Sequence, residues 1–261
     1  MYIKIKTLKY FLFILSIFVL SSLNYFKYIE ADDTQTNAGS TQTSSESSAT
    51  YSLAQDFQAY LSSKDGQSVS TSDVSDFINS EISDKVGDPI TLDTLPQIDA
   101  SKIKVLNQPY ASLPENERKQ KELDDAYKYV ATMAYLLASN SPMPITGPDD
   151  FASFRNDFLN HFATLETSNP DLQYFSDLGD RLGLFLDQVN NVEVPETMVD
   201  IHIKFLRIAN GLLALKKDAS ISNVNDPISR MVLIKKTDAY INLVTGLIST
   251  DLANYFKNLN A

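Results

Sequence analysis

The stretch DDFASFRNDFLNHFATL, residues 149–165, decides the fold class. Phe151, Phe154, Phe158, Phe162 and Leu165 recur at spacings of 3, 4, 4 and 3, which follow the 3.6-residue turn of an α-helix and put one apolar stripe on one side. A strand would alternate at every second residue, and this stretch does not. Asp149 or Asp150 stands where a helix needs a cap, and Asn140 to Pro148 before it holds three prolines and a glycine that break any preceding helix.

Outward from this stripe the same period repeats. After Ser168, Asn169 and Pro170, the residues Leu172, Phe175, Leu178, Leu182, Phe185 and Val189 form a second stripe. Pro195 opens a third helix to about residue 217, with Val199, His202, Phe205 or Leu206, Ala209 and Leu213 facing inward. Asp226 followed by Pro227 reads as a cap with proline in the first helical position, starting a segment to about residue 259 in which Gly246 permits a bend or close packing. Upstream, Ser112 and Glu115 have capping-box spacing and Pro114 fits a first turn, so a helix is expected over 112–139. Its first half, ENERKQKELDDAYKY, reads as a solvated face, and its second half, 130–138, as deep core.

Residues 88–111 contain Pro89, Pro96 and Pro109 without a helical period and read as a packed, irregular connection in which 102–106 can pair briefly as a strand. Before it lie two short, Ser- and Asp-rich helices: one from Leu53 to a stop at Gly66, one capped by Ser72 or Thr71, carrying Val74, Phe77, Ile78 and Ile82 and ended by Gly87. The expectation is an all-α fold, an antiparallel-type bundle of about five main helices plus two short ones, filling 53–261, with 53–111 less regular and 112–261 the core bundle. No strand–helix alternation, fixed-period repeat or sustained heptad points elsewhere.

The N-terminus differs from all of this. Residues 10–26 are largely apolar and follow Lys4, Lys6 and Lys9. Residues 8–26 number 19, which at about 1.5 Å per residue gives roughly 28 Å, close to the thickness of a bilayer's hydrocarbon core. An uncleaved single-pass anchor is one reading. A cleaved signal peptide is another, since Val19 with Ser21, or Ile29 with Ala31, offers small residues before a cut; a buried core helix is the third. Three lysines before the run, against Lys27 followed by Glu30, Asp32 and Asp33, orient the N-terminus inward. Residues 1–30 are therefore the anchor or signal segment, and 31–52, ADDTQTNAGSTQTSSESSATYS, a Ser/Thr-rich tether with almost nothing to bury.

Charge and composition exclude several function classes. The net charge is −11, and the residues after 52 keep 18 basic and 29 acidic side chains, the same balance, so a phosphate backbone is repelled and nucleic-acid binding is not expected. With no cysteine there is no disulfide, thiolate metal site or lipidated cysteine. Of the two histidines, His161 follows Asp157 by four residues, a spacing that offers two metal ligands on one helix side without an evident third. His202 sits among Ile201, Ile203, Phe205 and Leu206 and reads as a core histidine bonded to Asn210 or to a tyrosine on a neighbouring helix. Asp124, Asp125, Glu193 and Glu196 fall on solvated faces or helix starts, and no nucleotide, hydrolase, zincin or EF-hand motif is present. No cofactor and no catalytic residue is assigned.

Within 194–240, VPETMVDIHIKFLRIANGL and DPISRMVLIKKTDAY show a proline-started helix with a histidine, an asparagine eight residues later, and a second proline-started helix. This pattern resembles uncharacterised exported all-helical proteins of Parcubacteria-type candidate-phylum bacteria. The resemblance implies a fold and an address in a bacterial cell membrane, N-terminus inside, and maps the shared polar positions onto His202 and Asn210 without implying an activity. Three functions compete: a non-enzymatic, membrane-tethered extracytoplasmic module that binds a protein or scaffolds the envelope; a secreted component of a type IV secretion or pilus-like assembly; and a metal-dependent envelope hydrolase using Asp157 and His161.

Overall fold

The computed structural model describes residues 55–56, 58–60, 62–63, 70–108, 110–165, 167, 169–221 and 226–259. The expected anchor over 8–26, the tether over 31–52 and the glycine stop at 66 lie outside them. Among the described residues no helix is long and apolar enough to cross a membrane.

The chain is helical. Residues 55–56, 58–60 and 62–63 are helical, and the Tyr60 ring lies 5.3 Å from that of Phe77. Helix α1, Thr71–Val86, starts one residue before the expected caps: Ser70 accepts from the Asp73 amide, and the Asp73 carboxylate accepts from the Ser70 amide, a complete capping box. Gly87 ends it at φ +74°, a left-handed conformation that favours glycine, with its N–H on the Ser83 carbonyl. Phe77 and Ile82 are the side chains α1 buries.

The connection that follows holds a 3₁₀ turn at Ala100–Lys102 and strand β1, Val105–Leu106. Strand β1 pairs in parallel with β2, Val194–Pro195, and the Val194 amide also donates to the Lys104 carbonyl at 2.8 Å. A further 3₁₀ turn, Tyr110–Ser112, precedes α2, Glu115–Ser139. Ser112 belongs to that turn, so the expected Ser112–Glu115 capping box gives way to Pro114 at the N-cap position with no side-chain cap.

The expected split of α2 into a wet and a dry half is also corrected. Its buried residues are Asp125, Ala126, Tyr129, Val130 and Met133, a stripe that straddles both halves, while Tyr135 is 71% exposed. One face of a helix meets its neighbours whatever the composition of each half. The middle of α2 is covered by Tyr110, which bonds Asp125, and by the C-terminal helix, where the Tyr127 and Phe256 rings stack at 5.3 Å.

Helices α3 (Pro148–Thr164) and α4 (Leu172–Val189) carry the two stripes read first. The cap falls before the expected Asp149 or Asp150: Gly147 is the N-cap residue of α3, and Asp150, three residues on in the first turn, accepts from the Gly147 and Thr146 amides at 2.8 and 2.7 Å. A 3₁₀ turn at Glu196–Met198 then leads into α5, Val199–Ile221, so the proline opens the helix through a tighter first turn. Helix α6, Pro227–Gly246, starts with the expected Asp226 cap on the Ile228 amide, widens into a π-helical segment at Leu247–Leu252, and continues as α7, Ala253–Leu259. Nothing lies within 4 Å of a Cβ placed on Gly246, so the helix changes pitch there without close packing. The close approach is at Gly211, where the same construction meets the Tyr240 ring at 2.5 to 2.8 Å.

The core has three parts. The largest joins α2, α4, α5 and α7 through Ala126, Val130, Phe185, Val189, Leu206 and Phe256. A second joins α3 and α6 through Phe158, Phe162, Leu165 and Leu233, with Phe175 and Leu178 of α4 packed against it. The third sets Leu95 of the connection against Ile208, Tyr240 and Leu247. Each fully buried large apolar side chain contributes about 2 kcal/mol, and α5 touches α4, α6, the π segment and strand β2, which makes it the central helix.

Candidate functional site

His161 lies in the last turn of α3, and the fold gives it a neighbour that the local spacing did not reveal. Its Nε2 is 3.6 Å from Asp157 and its Nδ1 is 3.0 Å from Asp171, the N-cap residue of α4. The imidazole also stacks on the Tyr174 ring at 3.8 Å with the planes 10° apart. Thr164 strengthens the corner: its hydroxyl donates to the His161 carbonyl and accepts from the Asp171 amide. Asp171 comes ten residues later, across a proline turn, so helical periodicity could not bring it to His161. Burial, then the charge of Asp157, pushes the Tyr174 hydroxyl above the ordinary tyrosine range and keeps it neutral. Both imidazole nitrogens face carboxylates, and among the described residues no three His, Cys, Asp or Glu side chains are grouped to hold a metal ion. The arrangement ties α3 to α4.

His202 on α5 is 2% exposed. Its Nδ1 pairs with the Tyr129 hydroxyl of α2 at 2.8 Å, the two rings meet edge to face at 5.8 Å, and Phe205 lies 6.4 Å away. Burial lowers the histidine pKa to about 4, because an imidazolium loses its water shell there and gains no carboxylate in return. Burial likewise raises the Tyr129 hydroxyl, so both partners are neutral. Of the two bonding partners considered from sequence, the structure supplies the tyrosine. Asn210 is exposed and donates through Nδ2 to the Leu206 carbonyl at 2.7 Å, so His202 and Asn210 are not brought together.

Sequence reasoning placed Asp125 on a solvated face, whereas its side chain is 2% exposed. It accepts from the Tyr110 hydroxyl at 3.0 Å and from the Lys121 ammonium at 2.9 Å, with Lys128 at 3.7 Å. Burial first, then the Asp125 hydrogen bond, pushes the Tyr110 hydroxyl far up. This cluster holds the segment before α2 against α2 itself.

The remaining feature is concave. The end of α1 and the connection after it (Val86, Pro89, Ile90) face Ile234, Lys235, Asp238 and Ala239 of α6 across an open groove of about 460 Å³. Its walls are mainly apolar. Asp238 is half-buried, and burial raises its carboxyl pKa, opposed by the Asn242 amide that donates to it at 3.4 Å. Among the described residues no cation lies within ion-pair distance of Asp238, including Lys235 one turn earlier. No protein-family model matches the chain, and no curated protein or solved structure is significantly similar to it.

Proposed function

We propose that this chain is a non-enzymatic, membrane-tethered module of the bacterial envelope that binds another protein. In this reading residues 8–26 anchor it with the N-terminus inside, 31–52 form the tether, and the helices form an antiparallel-type bundle outside. The observation that carries the binding role is the groove between α1 and α6: an open, mainly apolar concavity with a carboxylate that has no cation partner among the described residues, on a domain whose histidines are engaged in links between helices. The N-terminal apolar run and the sequence resemblance support the address, and the acidic balance disfavours nucleic acid as partner.

Alkaline phosphatase fused after residue 52 tests the address. The fusion is expected to be active and to remain in the membrane after carbonate extraction; an inactive fusion, or one extracted as soluble protein, overturns the anchor. Small residues at Ser21 and Ala31 favour the second reading, a cleaved and secreted component of a surface assembly. Intact-mass measurement decides between the two: a mature chain retaining residues 8–26 excludes cleavage.

A further inference from the structure

A carboxylate that is partly desolvated and lacks a cation is an unfavourable arrangement. At Asp238 the cost shows as a raised pKa caused by burial, and Asn242 offsets it with one long hydrogen bond. The groove beside it is apolar along Val86, Pro89, Ile90, Ile234 and Ala239, and Lys235 also lines it. An aliphatic trough ending at an unpaired carboxylate matches one kind of side chain, a long hydrocarbon stem with a positive tip. Lysine and arginine have that form. A free fatty chain would leave the carboxylate unpaired, and an acidic ligand would be repelled by it. Lys235, exposed and three residues before Asp238 on α6, makes no ion pair with it and so does not occupy this role.

We infer that the groove receives a lysine or arginine side chain of the partner protein, its stem lying against Val86, Ile90 and Ile234 and its charge meeting Asp238. The inference rests on the protein-binding reading above and adds the chemistry of the contact. Pairing replaces the water that Asp238 has lost with a charge-assisted hydrogen bond, the stronger kind. The apolar walls then select against short cations, which cannot cover them.

The test uses the full-length chain in lipid nanodiscs and n-pentylammonium as a probe of the stem and tip, with 1-pentanol and pentanoate as controls. Methyl resonances of Val86, Ile90 and Ile234 are expected to move with pentylammonium, and the two controls to bind at least about tenfold more weakly, the scale of one hydrogen bond to a charged group. Asp238→Asn is expected to erase that preference while leaving the thermal melt in place. Equal binding of pentanol, or an undiminished preference in Asp238→Asn, overturns the inference. In cells, a photo-crosslinking residue replacing Lys235 is expected to capture a segment containing lysine or arginine, with capture lost in Asp238→Asn. Capture from a crosslinker at Leu184 but not at Lys235 overturns the groove while the protein-binding reading stands. Capture at neither position overturns both.

Discussion

The two histidines occupy opposite kinds of environment, and the contrast shows what each part of the fold is built to do. His202 sits in the main core with one tyrosine as polar partner, and burial lowers its pKa to about 4. His161 sits at the α3–α4 corner, its side chain 30% exposed, between two carboxylates that are themselves more than 40% exposed. In the core, removing water decides the protonation state and makes the pair sensitive to any change. At the corner, water screens the charges and the contacts are individually weak. The same residue type therefore fastens α2 to α5 strongly and α3 to α4 loosely.

Acid gives the largest break in this comparison. An unfolded chain binds a proton on histidine near pH 6.5, whereas native His202 stays neutral down to about 4. Between those values the unfolded state carries more protons, so stability contributed by His202 is present above about 6.5 and lost as pH falls through the window. The difference amounts to about 3 kcal/mol at this nearly inaccessible site. Urea denaturation at pH 7 and at pH 4.5 measures it, with His202→Gln as reference because carboxylates titrate in the same range. Wild type minus variant is expected to shrink sharply at the lower pH; an unchanged difference means the imidazole is reached by solvent or by an acid in the native state. Tyr129 acts at the other extreme: with its hydroxyl raised by burial, stability is lost as pH rises past the ordinary tyrosine range.

Two glycines test the same contrast by size. A Cβ on Gly211 of α5 meets the ring of Tyr240, itself buried, at 2.5 to 2.8 Å. A rigid ring in a packed core has nowhere to go, so Gly211→Ala is expected to cost about 2 kcal/mol despite the better helix propensity of alanine. A Cβ on Gly179 of α4 meets only the aliphatic stem of Lys216, at 2.9 Å, whose ammonium pairs with Asp180 at the surface. The Cγ and Cδ of that stem can swing away but its Cβ is fixed to α5, so Gly179→Ala is expected to cost about 1 kcal/mol, less than Gly211→Ala. Comparing the two urea midpoints checks this; equal losses mean that the α4–α5 seam is as rigid as the core.

Legibility in the sequence follows the range of each interaction. The phenylalanine stripe of α3, the Asp226–Pro227 start of α6 and the glycine end of α1 are local patterns, and all three occur where they were expected. The α1 cap was misplaced by one or two residues because Thr71 and Ser72 are as good a residue type as Ser70, and Asp73 three residues on from Ser70 makes the difference. Burial along α2 was misread because composition separates its two halves, whereas Tyr110, Phe185 and Phe256, distant in sequence, choose which side is covered. Of the candidate site, the His202–Tyr129 link was legible as a buried histidine near a tyrosine. Asp171, Asp125 and Asp238 were not, since each acquires its environment from a segment beyond its own helix. A carboxylate's burial is a tertiary property, and acidic side chains are so common on helix surfaces that their type alone points to solvent.

The smallest effect is at the corner itself. Asp171 has two roles, since one carboxylate oxygen accepts from the Tyr174 amide at 3.1 Å as the α4 cap and the other faces His161 at 3.0 Å. Losing a cap costs about 1 kcal/mol, and an exposed ion pair less than that. Asp171→Ala is therefore expected to destabilise by about 1 kcal/mol and His161→Ala by somewhat less, through its lost stacking on Tyr174. The double variant isolates the contact between them: a coupling of about 0.5 kcal/mol or below near 0.15 M salt, fading at 1 M, where charges beyond roughly 3 Å are screened. A coupling above about 1.5 kcal/mol that survives high salt would mean the corner behaves like the core, with His161 held in a desolvated clasp. The loose-corner account predicts the opposite, because carboxylates more than 40% exposed on either side keep contact with water and have little to gain from the imidazole.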